Sequence, residues 1–362
     1  MFQKSKIPIQ KFTYNILFFG SDNFPLATFK TIHTKIDPKI TSNLHLVTNY
    51  QPPEQKSKHK NLIQQYAIQN NLQVYQPLGK TSKNTQIEWQ EFIQSGVFEN
   101  TKFDIGVVCS YGYMIPNEII DCFQQGMFVI HPSLLPKYRG ASPIQQALLN
   151  GDKETGVSII EISKQKFDAG KILKQSKISI PEEFTYTELS EKLSDLSSQC
   201  LVNILQNLNF YKQNAVNQNE SEVSKAPKFQ VQDSFLDYCQ FDEVEIYNRF
   251  RCFKGTNFVS VRTIFVDKEV ILDKISLPNQ KQIEQLNQYK NALPGSLWII
   301  QSCRKNFFVK CKNRFVKVDE WRFFNQKIKQ AYTFIDQFFD KQLIYDNPDS
   351  QGHYFFKYKQ KN

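Results

Sequence analysis

The sequence predicts an α/β protein, a doubly wound and mainly parallel sheet followed by a smaller β-rich domain. Three observations lead there. Largely apolar runs, YNILFF from Tyr14, LHLV from Leu44, IGVV from Ile105 and MFVI from Met127, are each followed by turn residues and a helical pattern, the signature of strands buried on both faces. Beyond Phe229 the chain changes to short strand-like runs joined by Gly, Asn and Pro turns, which suggests a small barrel. Between these regions, residues 209–228 (NFYKQNAVNQNESEVSKAPK) are polar and aperiodic and read as a linker. The expected division is a leader at 1–13, a first domain at 14–208, the linker, a second domain at 229–335 and a tail at 336–362.

Composition narrows the possibilities. At 362 residues the chain is long enough for two cores, and no run approaches the ~18 apolar residues of a membrane span. A formal charge of +10 favours a polyanionic partner. The 7 cysteines are scattered without a C-x-x-C pair, which supports free thiols in a reducing compartment over zinc ligands or disulfides. The first 21 residues hold Lys4, Lys6 and Lys11 and no acid, as a short mitochondrial presequence would.

Taken in order, YNILFFGSDNFPLATFKTIH reads as strand, turn and helix, with a single glycine at Gly20 in place of a G-x-G-x-x-G fingerprint. LHLVTNY is the second strand, followed by a loop bearing Lys56, Lys58, His59 and Lys60 and by the helix NLIQQYAIQNN. Residues 80–102 read as a polar loop and a helix containing Trp89, FDIGVV as a buried strand ending in the bend Tyr111 to Pro116, and NEIIDCFQQG as a helix closed by Gly126.

MFVI then delivers His131 at a strand end, where Pro132 and Pro136 stiffen the loop HPSLLPKYRG. SPIQQALLNGD reads as a short helix with Ser142 as N-cap, Pro143 at its first position and Gly151 closing it. The strand GVSIIEIS leads to Asp168-Ala169-Gly170, and after KISI a long amphipathic helix begins at Thr185 or Thr187. In the second domain FDEVEIYNRFRCF is a helix and five short strands follow, from FVSVRTIFV to RFVKVDEWRF. Residues 301–330 carry 9 Lys and Arg interleaved with Phe and Trp, a composition suited to nucleic acid.

The run from His131 to Leu173 resembles the formyltransferase family that uses 10-formyltetrahydrofolate, in which a His precedes SLLP, an Arg-Gly turn and a later Asp loop. QKFDAGKILKQ is similar to the FD-x-G-x-IL form of that loop in the branch that acts on initiator methionyl-tRNA in mitochondria. The likeness spans residues 14 to 335. It implies proton transfer by His131 and Asp168, and no metal. The folate donor would be held by the Tyr111-Gly112 bend with Ile115 and Pro116, and by Ser133, Leu134, Leu135 and Pro136. It implies an OB-like C-terminal barrel and a monomer in the mitochondrial matrix, the cytoplasm being the alternative. The tRNA contacts would be Lys56, Lys58, Lys60, Arg139, Lys228, Arg314, Lys317 and Arg322. One departure stands out, because the family places Asn two residues before the His and this chain has Val129. Valine offers no donor to an oxyanion, and loss of one such donor costs about 10²- to 10³-fold in rate. The alternative expectation is therefore a formyltransferase fold without catalysis that binds RNA or the ribosome.

Overall fold

A computed structural model describes residues 13–35, 41–49, 61–77, 89–256, 258–265, 267–300 and 302–338. The chain divides into two compact units, the first comprising Met1–Pro143, Glu154–Ser179 and Ser190–Pro227, the second Ile144–Lys153, Ile180–Leu189 and Lys228–Asn362.

The first unit is built on seven strands: β1 (Tyr14–Phe19), β2 (Thr41–Val47), β3 (Val74–Tyr75), β4 (Ile105–Val108), β5 (Met127–His131), β7 (Glu154–Glu161) and β8 (Ile172–Ser179), in the order β3-β2-β1-β4-β5-β7-β8. The pairs from β3 to β5 are parallel, whereas β5–β7 and β7–β8 are antiparallel. The sheet is thus mixed, and the parallel expectation fails at β7 and β8, where a hairpin replaces a helical crossover. The chain leaves β1 through β2 in one direction and returns through β4 in the other, a switch that brings the carboxyl ends of β1, β4 and β5 to one edge. That edge carries Gly20, Tyr111 and His131. Beneath it, Phe19, fully buried, meets Tyr111, Phe123 and Trp89 edge-on or tilted. Each such ring contributes about 1.5–3 kcal/mol by burial.

The helices along this stretch of chain follow the apolar spacing with corrections at their ends. Helix α1 (Leu26–Lys35) and α2 (Leu62–Gln69) cover the β2 side, with Asn61 capping α2 by accepting from the Gln64 N–H. Short α3 (Trp89–Gln94) and α4 (Val97–Asn100) follow. The expected helix ending at Gly126 stops early, since α5 spans only Asn117–Ile120 and the chain turns through Gly126 in the left-handed region. Helix α6 (Pro143–Leu149) starts at the proline, as predicted. Thr185 precedes the long α7 (Tyr186–Gln206), and Glu188 accepts from its backbone N–H in the manner of a capping residue.

The stretch read as a linker groups, all but Lys228, with the first unit. Residues 209–227 belong to the first unit, with α8 (Leu208–Gln213) followed by a strap in which Val216 bridges Ile172 and β9 (Lys225–Ala226) pairs in parallel with β6 (Arg139–Gly140). The stretch is polar and aperiodic because the strap is held by backbone and amide hydrogen bonds, which leave no apolar period to detect.

The second unit contains α9 (Glu243–Phe253), with Asp242 capping its first turn by accepting from Val244 and Glu245, then β10 (Val261–Phe265), β11 (Lys268–Ser276), α10 (Gln280–Leu286), β12 (Leu297–Ile300), β13 (Cys303–Lys310), β14 (Phe315–Phe323), β15 (Lys329–Gln330) and α11 (Ala331–Phe338). Its antiparallel sheet runs β10-β11-β14-β13-β12, with β15 against β14. Among the described residues β10 and β12 end this path, so the expected barrel is an open sheet. Phe265, Phe307, Trp321 and Phe334 form its core.

Candidate active site

His131 is the last residue of β5 and is buried, opposite Ser158 of β7. Asp168 does not sit at a strand end. It lies in the loop joining β7 to β8 and reaches back so that its Oδ1 is 3.5 Å from His131 Nδ1. The other ring nitrogen, Nε2, is 2.8 Å from the Tyr138 carbonyl. A carbonyl only accepts, so Nε2 carries the hydrogen, and Nδ1 is the ring atom that faces Asp168 Oδ1. The second carboxylate oxygen, Oδ2, accepts from the Gly140 N–H at 2.9 Å. Asp168 itself has φ +54°, an uncommon conformation for a residue with a side chain.

The loop after His131 is pinned from behind. Ser133 donates to the Lys137 carbonyl at 2.6 Å; Ser158 donates to the Ser133 carbonyl at 2.6 Å and accepts from the Leu135 N–H at 3.0 Å; Gln175 donates to the Leu135 carbonyl at 2.7 Å. Ser133 and Leu135 are thereby buried as struts, while Leu134 and Pro136 stay half-exposed. At the β4 edge Tyr111 and Ile115 are buried, Pro116 is half-buried and Gly112 is exposed. The Tyr111 hydroxyl and Asn49 Oδ1 are buried with no hydrogen-bond partner, and burial pushes the Tyr111 phenol well above its ordinary range, so it remains a donor. Orphaned polar atoms of this kind cost about 1–3 kcal/mol each. Met114, in the same bend, and Phe167, beside Asp168, carry exposed side chains. Asp22, in the turn after β1, is an exposed residue, yet desolvation at the sheet edge pushes its carboxyl up to about 6 against the lowering hydrogen bonds from Phe24 and Ser110.

Val129, two residues before His131, is half-buried and registers with Val108 on one side and Ile160 on the other. That row supplies no side-chain donor. Ser158, Gln175, Asn49 and Gln218 are the residues that sequence reasoning missed; each is a lone polar side chain in an ordinary context, recognisable only from what it touches.

The expected RNA contacts divide. Lys56, Lys58 and Lys60 lie outside the described residues. Arg139 is drawn inward, its Nε donating to Gln218 at 2.9 Å and its Nη2 to Glu220 at 2.7 Å. Arg322 lies 3.0 Å from the buried Asp273 carboxylate, and Lys317 lies 2.9 Å from Asp319. Lys228 and Arg314 are exposed, Arg314 reaching Glu243 only at 3.9 Å. Lys310, also part of the basic run, is buried and donates to the carbonyls of Cys311, Lys312 and Asn313. Lys305, Lys312 and Lys327 are exposed. No group of His, Cys, Asp and Glu able to hold a metal occurs among the described residues.

The formyl transferase family matches residues 14–205, more than half of the chain, and the chain belongs to it. The relatives it matches are more specific. It is 29% identical over 85% of its length to the mitochondrial methionyl-tRNA formyltransferase of Bos taurus, covering 74% of that protein. With the methionyl-tRNA formyltransferase of Ehrlichia ruminantium it shares 36% identity over 63% of its length and 71% of the relative. The fold is also that of the Helicobacter canadensis N-formyltransferase crystallised with folinic acid and dTDP-3-aminofucose, with a TM-score of 0.58 at 16% identity over 86% of this chain and 100% of the other.

Proposed function

We propose that the protein transfers a formyl group from 10-formyltetrahydrofolate to the amino group of initiator methionyl-tRNA, acting as a monomer in mitochondria. The observation that carries this reading is the pairing of His131 Nδ1 with Asp168 Oδ1 at 3.5 Å, at the carboxyl edge of a formyl transferase sheet. 10-Formyltetrahydrofolate supplies the formyl group. His131 and Asp168 accept the proton released by the attacking amine and return one to the departing folate nitrogen. Gly112, Met114, Pro116, Leu134, Pro136 and Phe167 offer the ring its apolar surfaces, and the Tyr111 hydroxyl and Asn49 amide oxygen offer it polar partners. The second unit, which we take for an opened variant of the OB-like barrel, grips tRNA phosphates through Arg314, Lys228 and the exposed lysines of the basic run.

The mitochondrial setting rests on the likeness to mitochondrial relatives. Val129 favours a second reading, a formyl transferase fold that binds RNA without turnover. Formylation of charged initiator tRNA by the purified protein with 10-formyltetrahydrofolate separates the two: turnover supports the first, and its absence with tRNA binding intact replaces it with the second.

A further inference from the structure

We infer that Gln218 is a positioning residue that holds the Asp168 loop against His131 and ties it to the loop that follows His131. The inference rests on the reading of His131 and Asp168 given above and extends it to a residue of the strap.

The side-chain amide of Gln218 makes three hydrogen bonds, and the direction of each is fixed by chemistry. Its Nε2 donates to the Asp168 carbonyl at 2.8 Å and to the Gly170 carbonyl at 2.8 Å, while its Oε1 accepts from Arg139 Nε at 2.9 Å. Both carbonyls can only accept and the guanidinium can only donate, so the amide has one possible orientation and its two hydrogens are both used. Gln218 is half-buried between exposed neighbours Asn217 and Asn219, the mark of a side chain turned inward from a surface strap. Arg139 is held in turn by both oxygens of Glu220, so its guanidinium is clamped between two residues of the same strap.

These hydrogen bonds fall on the part of the backbone that needs them. Asp168 has φ +54°, a conformation that costs free energy for any residue with a Cβ and persists only when its surroundings enforce it. A Cβ on Gly170 would collide with the Glu161 carbonyl, so the loop closes tightly over the end of β7. On the other side, Gly140, with φ +128°, gives its N–H to Asp168 Oδ2, and a Cβ there would meet the Ala226 carbonyl at 2.6 Å. Ser224 completes the tie, its hydroxyl accepting from the Tyr138 N–H at 2.9 Å and its carbonyl from the Arg139 N–H at 2.9 Å. Tyr138 is the residue whose carbonyl holds His131 Nε2. The strap thus fixes the partner of each ring nitrogen, and Gln218 alone spans both loops.

Gln218→Glu is the discriminating change. It keeps length and shape and retains an acceptor for Arg139, but sets a carboxylate against two carbonyls. The experiment uses the full chain and two independent readouts. In formyl transfer, kcat should fall by about 10²-fold, the loss expected for a misplacement near 1 Å, with KM for 10-formyltetrahydrofolate and for methionyl-tRNA each within about twofold of wild type. In ¹⁵N-histidine spectra of the 5 histidines, the His131 ring signals should move in the direction that Asp168→Ala moves them. Unchanged kcat, or His131 signals that stay in place while Asp168→Ala displaces them, overturns the role of Gln218. If wild type transfers no formyl group, the proposed function fails and the spectra alone decide whether Gln218 holds the pair. If Gln218→Glu does not fold, Gln218→Met, which keeps the stem without the donors, takes its place under the same two criteria.

Discussion

Ser158 sits directly across from His131 in the β5–β7 pairing, and its hydroxyl pins the loop that His131 begins, donating to the Ser133 carbonyl and accepting from the Leu135 N–H. Ser158 is fully buried, so removing the hydroxyl strips both backbone groups of that partner where water does not replace it. Ser158→Ala should lower unfolding free energy by about 1–3 kcal/mol in denaturant titrations. Ser158→Thr should retain most of it. Equal stability of wild type and Ser158→Ala would show that the loop does not depend on this pin.

The basic run separates into structural and exposed cations. Arg322→Ala leaves the Asp273 carboxylate buried beside Lys254, which is 4.0 Å away, and should cost about 3 kcal/mol of stability. It should leave the salt dependence of RNA binding as in wild type. Replacing Lys228, Lys312 and Arg314 together with Ala should flatten that dependence by about one unit for each phosphate the variant no longer neutralises. The assignment is reversed if Arg322→Ala changes the salt slope and the triple variant does not.

Asp22 carries a pH signature. Its carboxyl is held near 6 in the folded chain, above the ordinary value of about 3.9 in the unfolded one, so the folded state binds this proton more tightly. Its contribution to stability is therefore complete below about pH 4, is lost as the pH rises through about 6, and is constant above that. Asp22→Asn should remove this fall from the difference between stabilities measured at pH 4 and pH 7. A carboxyl titration midpoint below 4.5 in the wild-type carbon-13 spectrum would contradict it.

Val129 bears on rate rather than fold. If the transferase is working, His131→Ala should abolish turnover, and Val129→Asn should raise it towards the 10²- to 10³-fold worth of one oxyanion donor. Turnover that survives His131→Ala rules out the proton route through the imidazole. Turnover only in Val129→Asn identifies a site that one substitution has silenced.

The sequence made the sheet legible because β1, β4 and β5 are buried on both faces and therefore almost wholly apolar. The meeting of His131 with Asp168 was legible through the company they keep, HPSLLP and FDAG, since neither residue alone distinguishes a site group from a satisfied polar one. The antiparallel turn at β7 was not, because a buried strand reads alike in either direction. Arg322 illustrates another limit. On a basic, aromatic strand it looks like a phosphate ligand, and only the fold reveals Asp273 beneath it. The strap was hidden for a third reason: Gln218, Glu220 and Ser224 act through single hydrogen bonds, and hydrogen-bonded loops leave no periodic trace.

The strap also redraws the boundary of the smallest working piece. The match to the formyl transferase family ends at residue 205 and the sequence suggests trimming at 208, yet the Asp168 loop is fastened by Gln218 and the loop after His131 by groups at 224 and 226, with Val216 pairing to Ile172 at the start of β8. A fragment cut after α7 would keep every strand of the seven-stranded sheet together with His131 and Asp168, while losing the hydrogen bonds from Gln218 and Ser224 to the two loops. A fragment that retains all of these hydrogen bonds extends to Ala226.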